Sequence, residues 1–106
     1  MKKSEQVKIN EICKEAFDKF DGEYWLENPA THYFERLRTC QAYVHFTENY
    51  IYLISYRTIV AFIDTRTNTL YDVLRFVYGY TATSAQHIAK FRSDYRNQIS
   101  NYYRYQ

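Results

Sequence analysis

Four short runs decide how this chain folds: TCQAYVHF (39–46), YIYLIS (50–55), TIVAFID (58–64) and TLYDVLRFVY (69–78). All are rich in Val, Ile, Thr, Tyr and Phe, side chains that pack well on a pleated surface. The breaks between them are Thr47-Glu48-Asn49, Tyr56-Arg57 and Thr65-Arg66-Thr67-Asn68. Connections this short join antiparallel neighbours, because a parallel crossover takes a dozen residues or more. The runs predict a four-stranded antiparallel meander with TIVAFID, almost wholly apolar, at its centre. In YIYLIS, Ile51 and Leu53 share one face, while Tyr50, Tyr52 and Ile54 share the other. One helix can cover one face of this sheet, which leaves the other exposed and aromatic.

Working outward, residues 4–20 place Ile9, Ile12, Cys13, Ala16, Phe17 and Phe20 on one helical stripe. Ser4 is the expected N-cap, and Asp21-Gly22 the expected stop. Residues 23–38 fit either a short helix over 31–38 or an irregular connection, with a turn at Asn28-Pro29. Beyond Gly79, Thr83 and Gln86 fit a capping box that opens a second helix over roughly residues 84–102. Ile88, Phe91, Tyr95, Ile99 and Tyr102 would face inward from it. The expected architecture is α+β in two layers: an N-terminal helix, a four-stranded antiparallel sheet and a C-terminal helix, in a single domain over residues 1–106.

Composition narrows the function classes. The chain of 106 residues holds 13 Tyr and 7 Phe but only 2 Gly and 1 Pro. So few glycines speak against a phosphate-cradling loop, and no nucleophile elbow or HExxH is present. His32, His45 and His87 lie in separate elements, and Cys13 and Cys40 have no metal-type spacing. Asp64 and Asp72 read as turn residues with local hydrogen bonds. The reading is therefore no catalytic residues, no metal and no cofactor. The charged start, MKKSEQVK, lacks the apolar stretch of a signal peptide. No apolar run reaches the ~20 residues of a membrane span. A cytoplasmic protein with reduced thiols is expected.

The net charge of +2 is split. Residues 1–35 carry 5 basic and 8 acidic side chains, and residues 36–106 carry 9 and 4. An acidic end and a basic end follow. The candidate binding residues are Tyr50, Tyr52 and Tyr56 with Arg57 on the sheet, Arg75, and Arg92 and Arg96 on the second helix. Tyrosines beside arginine could stack bases, and the helix arginines could touch phosphates. Homodimerisation through an uncovered sheet face is a further option.

Tyr52-Leu53-Ile54-Ser55-Tyr56-Arg57-Thr58-Ile59-Val60-Ala61, with Asp64, Leu70-Tyr71 and the segment Tyr80–Phe91, resembles a small domain of unknown function from phage and plasmid proteins of Gram-positive bacteria. The shared pattern is Ser-Tyr-x-Thr, a Val-Ala strand, a Leu-Tyr strand and Thr-Ser/Thr-x-x-His-Ile-x-x-Phe, over roughly residues 50–92. The resemblance implies an origin in a mobile element and offers no catalytic residues. It favours a protein that binds a host protein or protein–nucleic-acid complex in the host-cell cytoplasm, such as an anti-CRISPR inhibitor of a defence nuclease. The alternative is a small single-stranded nucleic-acid binder.

Overall fold

The computed structural model describes residues 3–26, 33–37, 41–79 and 81–106. The chain is α+β. Helix α1 (Lys3–Leu26) leads into strands β1 (Tyr33–Arg36), β2 (Ala42–Phe46), β3 (Tyr50–Ser55), β4 (Thr58–Asp64) and β5 (Thr69–Asp72). The short helix α2 (Leu74–Val77), helix α3 (Ala82–Asp94), a 3-10 turn at Arg96–Gln98 and strand β6 (Asn101–Arg104) complete it. The strands lie side by side in chain order. β1 to β5 are antiparallel, and β6 runs parallel beside β5. The connection through α2 and α3 supplies the length that a parallel crossover needs.

The expected meander is present as β2–β5, and β3 and β4 have the expected bounds. Three expectations change. First, the run 69–78 is not one strand. Asp72 Oδ1 accepts from the Leu74 N–H at 3.2 Å, and the chain turns there into α2. Second, the helix expected over 84–102 stops at Asp94. The Asn68 carbonyl accepts from the Ser100 and Asn101 amides at 2.6 and 3.2 Å, which lays the tail beside β5. Residues 101–105 then alternate as a strand does: Tyr102 packs with the α3 side, Tyr103 and Tyr105 with the α1 side. Third, residues 33–36 form an edge strand rather than part of a helix or an irregular connection. The Asn28-Pro29 turn lies outside the described residues.

α1 also runs past its expected stop at Gly22. A mid-helix glycine costs about 1 kcal/mol, and contacts beyond it offset that cost. Glu23 accepts from Arg66 at 3.2–3.3 Å. Tyr24 packs on Phe20 and Tyr52 with ring centroids 6.1 and 5.8 Å apart.

Helices cover both sheet faces, so the fold has three layers where two were expected. One core joins Val44, Ile51, Leu53, Ala61, Ile63 and Leu70 to Ile88 and Phe91 of α3. The other joins Tyr50, Tyr52, Phe62 and Val73 to Cys13 and Phe20 of α1. Tyr50 and Tyr52 are 2% and 0% exposed. Among the described residues, Tyr50 and Tyr52 therefore form no exposed aromatic face. The N-terminal half of α1 also braces the outer edge of β6. Gln6 Nε2 donates to the Arg104 carbonyl at 3.0 Å, and Asn10 both donates to and accepts from the Gln106 backbone.

Candidate functional site

The structure sorts the seven expected binding residues into three groups. Tyr50 and Tyr52 are core. The Tyr50 hydroxyl accepts from Arg66 at 2.8 Å, and Tyr52 shares a 2.7 Å hydrogen bond with His45 Nδ1. They are removed as binding residues, because α1 occupies the face they were expected to present.

Tyr56 and Arg57 form the two-residue turn between β3 and β4, with φ of 49° and 71°. Left-handed conformations cost non-glycine residues about 1–2 kcal/mol each, yet they give the turn the twist that hairpins favour. Both side chains are exposed, beside a hollow of about 330 Å³ shared with Gln41, Tyr43 and Ile54.

Arg75, Arg92 and Arg96 come together on one surface with Arg104 and with Tyr102, which was expected to face inward from a helix. Arg75 is carried by α2, Arg92 by α3 and Arg104 by β6. The three line a hollow of about 290 Å³ with Asp72, Tyr102 and the small side chains Ala85 and Ala89. The alanines keep the α3 side low. The Arg92 guanidinium lies over the Tyr102 ring, 4.2 Å from its centroid. A cation there is held by the ring's negative face, which orients Arg92; no carboxylate among the described residues pairs with it. A second hollow of about 290 Å³ adjoins the first, sharing Arg92 and Tyr102, and is lined further by Arg96, Ile99, Ser100 and Asn101.

Asp72 forms the floor of the first hollow. It is 7% exposed, and its Oδ2 lies 3.5 Å from the Tyr102 hydroxyl and 3.9 Å from Arg104 Nε. Burial raises its carboxyl above the ordinary aspartate range, against the opposing pull of the Leu74 N–H, Arg104 and Tyr102. Burial, and then the Asp72 charge, raise the Tyr102 phenol. The hollow thus sets three guanidinium groups against one carboxylate that its surroundings discourage from ionising.

A second polar cluster brings together Ser55, Ser84 and His87. Ser55 Oγ lies 3.0 Å from Ser84 Oγ and 2.8 Å from His87 Nδ1. A serine hydroxyl on an imidazole resembles a nucleophile and its base. Both serines, however, are only 2% exposed and His87 only 7%, so the hydroxyls are closed to a substrate. The cluster joins the start of α3 to the end of β3. Burial holds the His87 imidazole below the ordinary histidine range, in its neutral form. Thr81, not Thr83, caps α3: its Oγ1 accepts from the Ser84 N–H at 3.2 Å. Ser55, His87, Ile88 and Phe91, on which the expected resemblance partly rested, are thus joint and core residues.

Cys40 and His32 lie outside the described residues, among which no three His, Cys, Asp or Glu side chains cluster as metal ligands. No helix among them is long and apolar enough to cross a membrane. Comparison with known proteins finds no matching family model, no matching curated protein and no matching solved structure.

Proposed function

We propose that the protein is a binding module rather than an enzyme, and that it docks the phosphate backbone of a single nucleic-acid strand along the α3–β6 face. The pair of adjoining hollows carries this reading. Arg75, Arg92 and Arg104 line the first and Arg92 and Arg96 the second, with Asp72 the single carboxylate among the described lining residues. Guanidinium groups present planar forks of donors that match phosphate oxygens. The Tyr50 and Tyr52 rings take no part, so binding rests on phosphates and reads little sequence. Four arginines that neutralise phosphates of a single strand give a log–log salt slope of about −3. Fluorescence anisotropy with a labelled single strand at low salt tests this. Saturable binding with that slope is expected, and a flat titration would rule the reading out.

A protein partner is the second reading, favoured by the opposite layer. α1 presents Glu11, Glu15 and Asp18 to solvent and ends in Trp25 and Leu26, which are 75% and 88% exposed. An acidic surface can compete with phosphates for the arginines and lysines of a nucleic-acid enzyme. This suits the phage and plasmid resemblance and an inhibitor of a defence nuclease complex, anti-CRISPR-like, in the host cytoplasm. An affinity pull-down from host lysate, split into nuclease-treated and untreated halves, separates the readings. A protein recovered from both halves supports the inhibitor; recovery from the untreated half alone supports nucleic-acid docking.

A further inference from the structure

We infer that the Arg92 guanidinium, seated on the Tyr102 ring, is a stacking platform for one nucleobase of the bound strand; this rests on the nucleic-acid reading of the same face. One face of the guanidinium plane is already taken, with Cζ 4.2 Å from the Tyr102 centroid. The other face has a hollow of its own. That hollow, of about 300 Å³, is lined by Ala89, Arg92, Ser93 and Arg96 and not by Tyr102. It therefore opens on the side of Arg92 away from the ring.

Helical spacing builds this hollow. Residues 89, 92, 93 and 96 fall at i, i+3, i+4 and i+7 along α3 and the 3-10 turn after it, so they share one side. All four are exposed. Ala89 and Ser93 are small, which leaves a shallow floor beside the guanidinium. At about 300 Å³ the hollow sits at the lower end of small-ligand pockets, which run ~300–1,000 Å³. It has room for one flat ring system and not for a run of bases.

The chemistry suits a base. A guanidinium is planar, delocalised and weakly hydrated, so its faces stack on π-systems. Single-strand binders lay bases on arginine planes as well as on aromatic rings. Here Tyr102 holds the plane in place before the strand arrives, which cuts the ordering cost of binding. Tyr102 is itself fixed: it pairs with Leu70 across β5 and β6, and its hydroxyl stands 3.5 Å from Asp72 Oδ2. Arg96, on the rim of the same hollow, is placed to meet the phosphate next to the stacked base. Every base has a π-face, so the platform adds affinity and reads little sequence.

The test is anisotropy with two labelled strands of equal length, an oligodeoxyadenylate and an abasic strand with the same phosphates and no bases. They are titrated at low salt into the wild type and into Arg92→Lys, Tyr102→Phe and Tyr102→Leu. Arg92→Lys keeps the charge for phosphates and removes the plane. The wild type is expected to bind the base-bearing strand about tenfold tighter than the abasic one. Tyr102→Phe should keep that preference and Tyr102→Leu should reduce it. Arg92→Lys should abolish it while the abasic strand binds as before. Arg92 is exposed, so its variant keeps the fold whatever becomes of the Tyr102 variants. Equal wild-type affinity for both strands overturns the platform and leaves backbone docking standing. Failure to bind either strand overturns both. A preference that survives Arg92→Lys places the base elsewhere and also overturns the platform.

Discussion

Replacing Phe20 with alanine tests the seating of α1, on which the burial of Tyr50 and Tyr52 depends. Phe20 is 1% exposed. Its ring stacks on Phe62 at a centroid distance of 4.8 Å and meets Tyr50 and Tyr52 edge-on at 5.0 and 5.1 Å. A buried Phe→Ala change costs about 3–5 kcal/mol, and aromatic pairs add ~0.5–1.5 kcal/mol each beyond area. Three such contacts put the expected loss near the top of the range, about 4 kcal/mol or more. Domains of this size hold about 5–15 kcal/mol in all. At ~4–8 °C per kcal/mol, the melting temperature should fall by roughly 20 °C or more. Far-UV circular dichroism during urea and thermal unfolding reads the change, with Phe20→Leu expected to lose less than half as much. A loss below about 1 kcal/mol for the alanine variant would mean that α1 does not cover the sheet. The tyrosine face would then be open after all.

Three further outcomes follow from buried groups. Cys13 is 0% exposed, and burial together with the nearby Asp72 charge pushes its thiol up to about 12; peptide mapping should find it unmodified by iodoacetamide in the native protein at pH 8 and fully modified in urea, and rapid native labelling would contradict the packing. His87→Ala breaks the 2.8 Å bond to Ser55 and should cost about 1–3 kcal/mol. Because the folded state depresses the His87 pKa, the unfolded chain takes up the proton first as pH falls below ~6.5; the wild type then loses stability, and its advantage over His87→Ala should narrow between pH 7.5 and 5, whereas a constant gap would show that His87 is not buried neutral. Asp72 has the opposite sign: its raised folded pKa gives a contribution present below the ordinary ~3.9 and lost as pH rises through the folded value. Asp72→Asn should therefore raise the denaturation midpoint at pH 7 and bring less gain at pH 4, and a lower midpoint at pH 7 would contradict it.

The centre of the fold was legible because it rests on local signals. β3 and β4 are β-rich runs with short polar breaks, and the helical stripe from Ile9 to Phe20 has an unambiguous period. The errors fall where tertiary contacts override local preference. Asp21-Gly22 reads as a helix stop, but Arg66 and Tyr52 hold Glu23 and Tyr24 in the helix. Tyr95, Ile99 and Tyr102 fit helical spacing, but the same tail fits a strand, with Tyr103 and Tyr105 on the opposite face to Tyr102. Docking against Asn68 settles the choice, and no local signal contains it.

The site was legible in part for the same reason. Arg92 and Arg96 were expected on the basic face of a predicted helix, and Arg75 from its exposure pattern; the structure brings the three to one surface. Arg104 and Tyr102 reach the hollow from a strand beside β5, where a helix was expected to reach about residue 102. Asp72 was read as a turn residue; it does accept a local amide bond, from Leu74, and its second oxygen faces the arginines. Tyr50 and Tyr52 were misplaced because alternation shows that two faces exist, not how many helices cover them.

The measurement that meets the central claim most directly is an NMR titration of isotope-labelled protein with an unlabelled single strand at low salt, following backbone amides and arginine Nε–H groups. The account predicts changes concentrated at Arg75, Arg92, Arg96, Arg104 and the amides of Ser100–Tyr102, with α1 and the Tyr56-Arg57 turn unchanged. Changes centred on α1 or on that turn, or none at all, would contradict it.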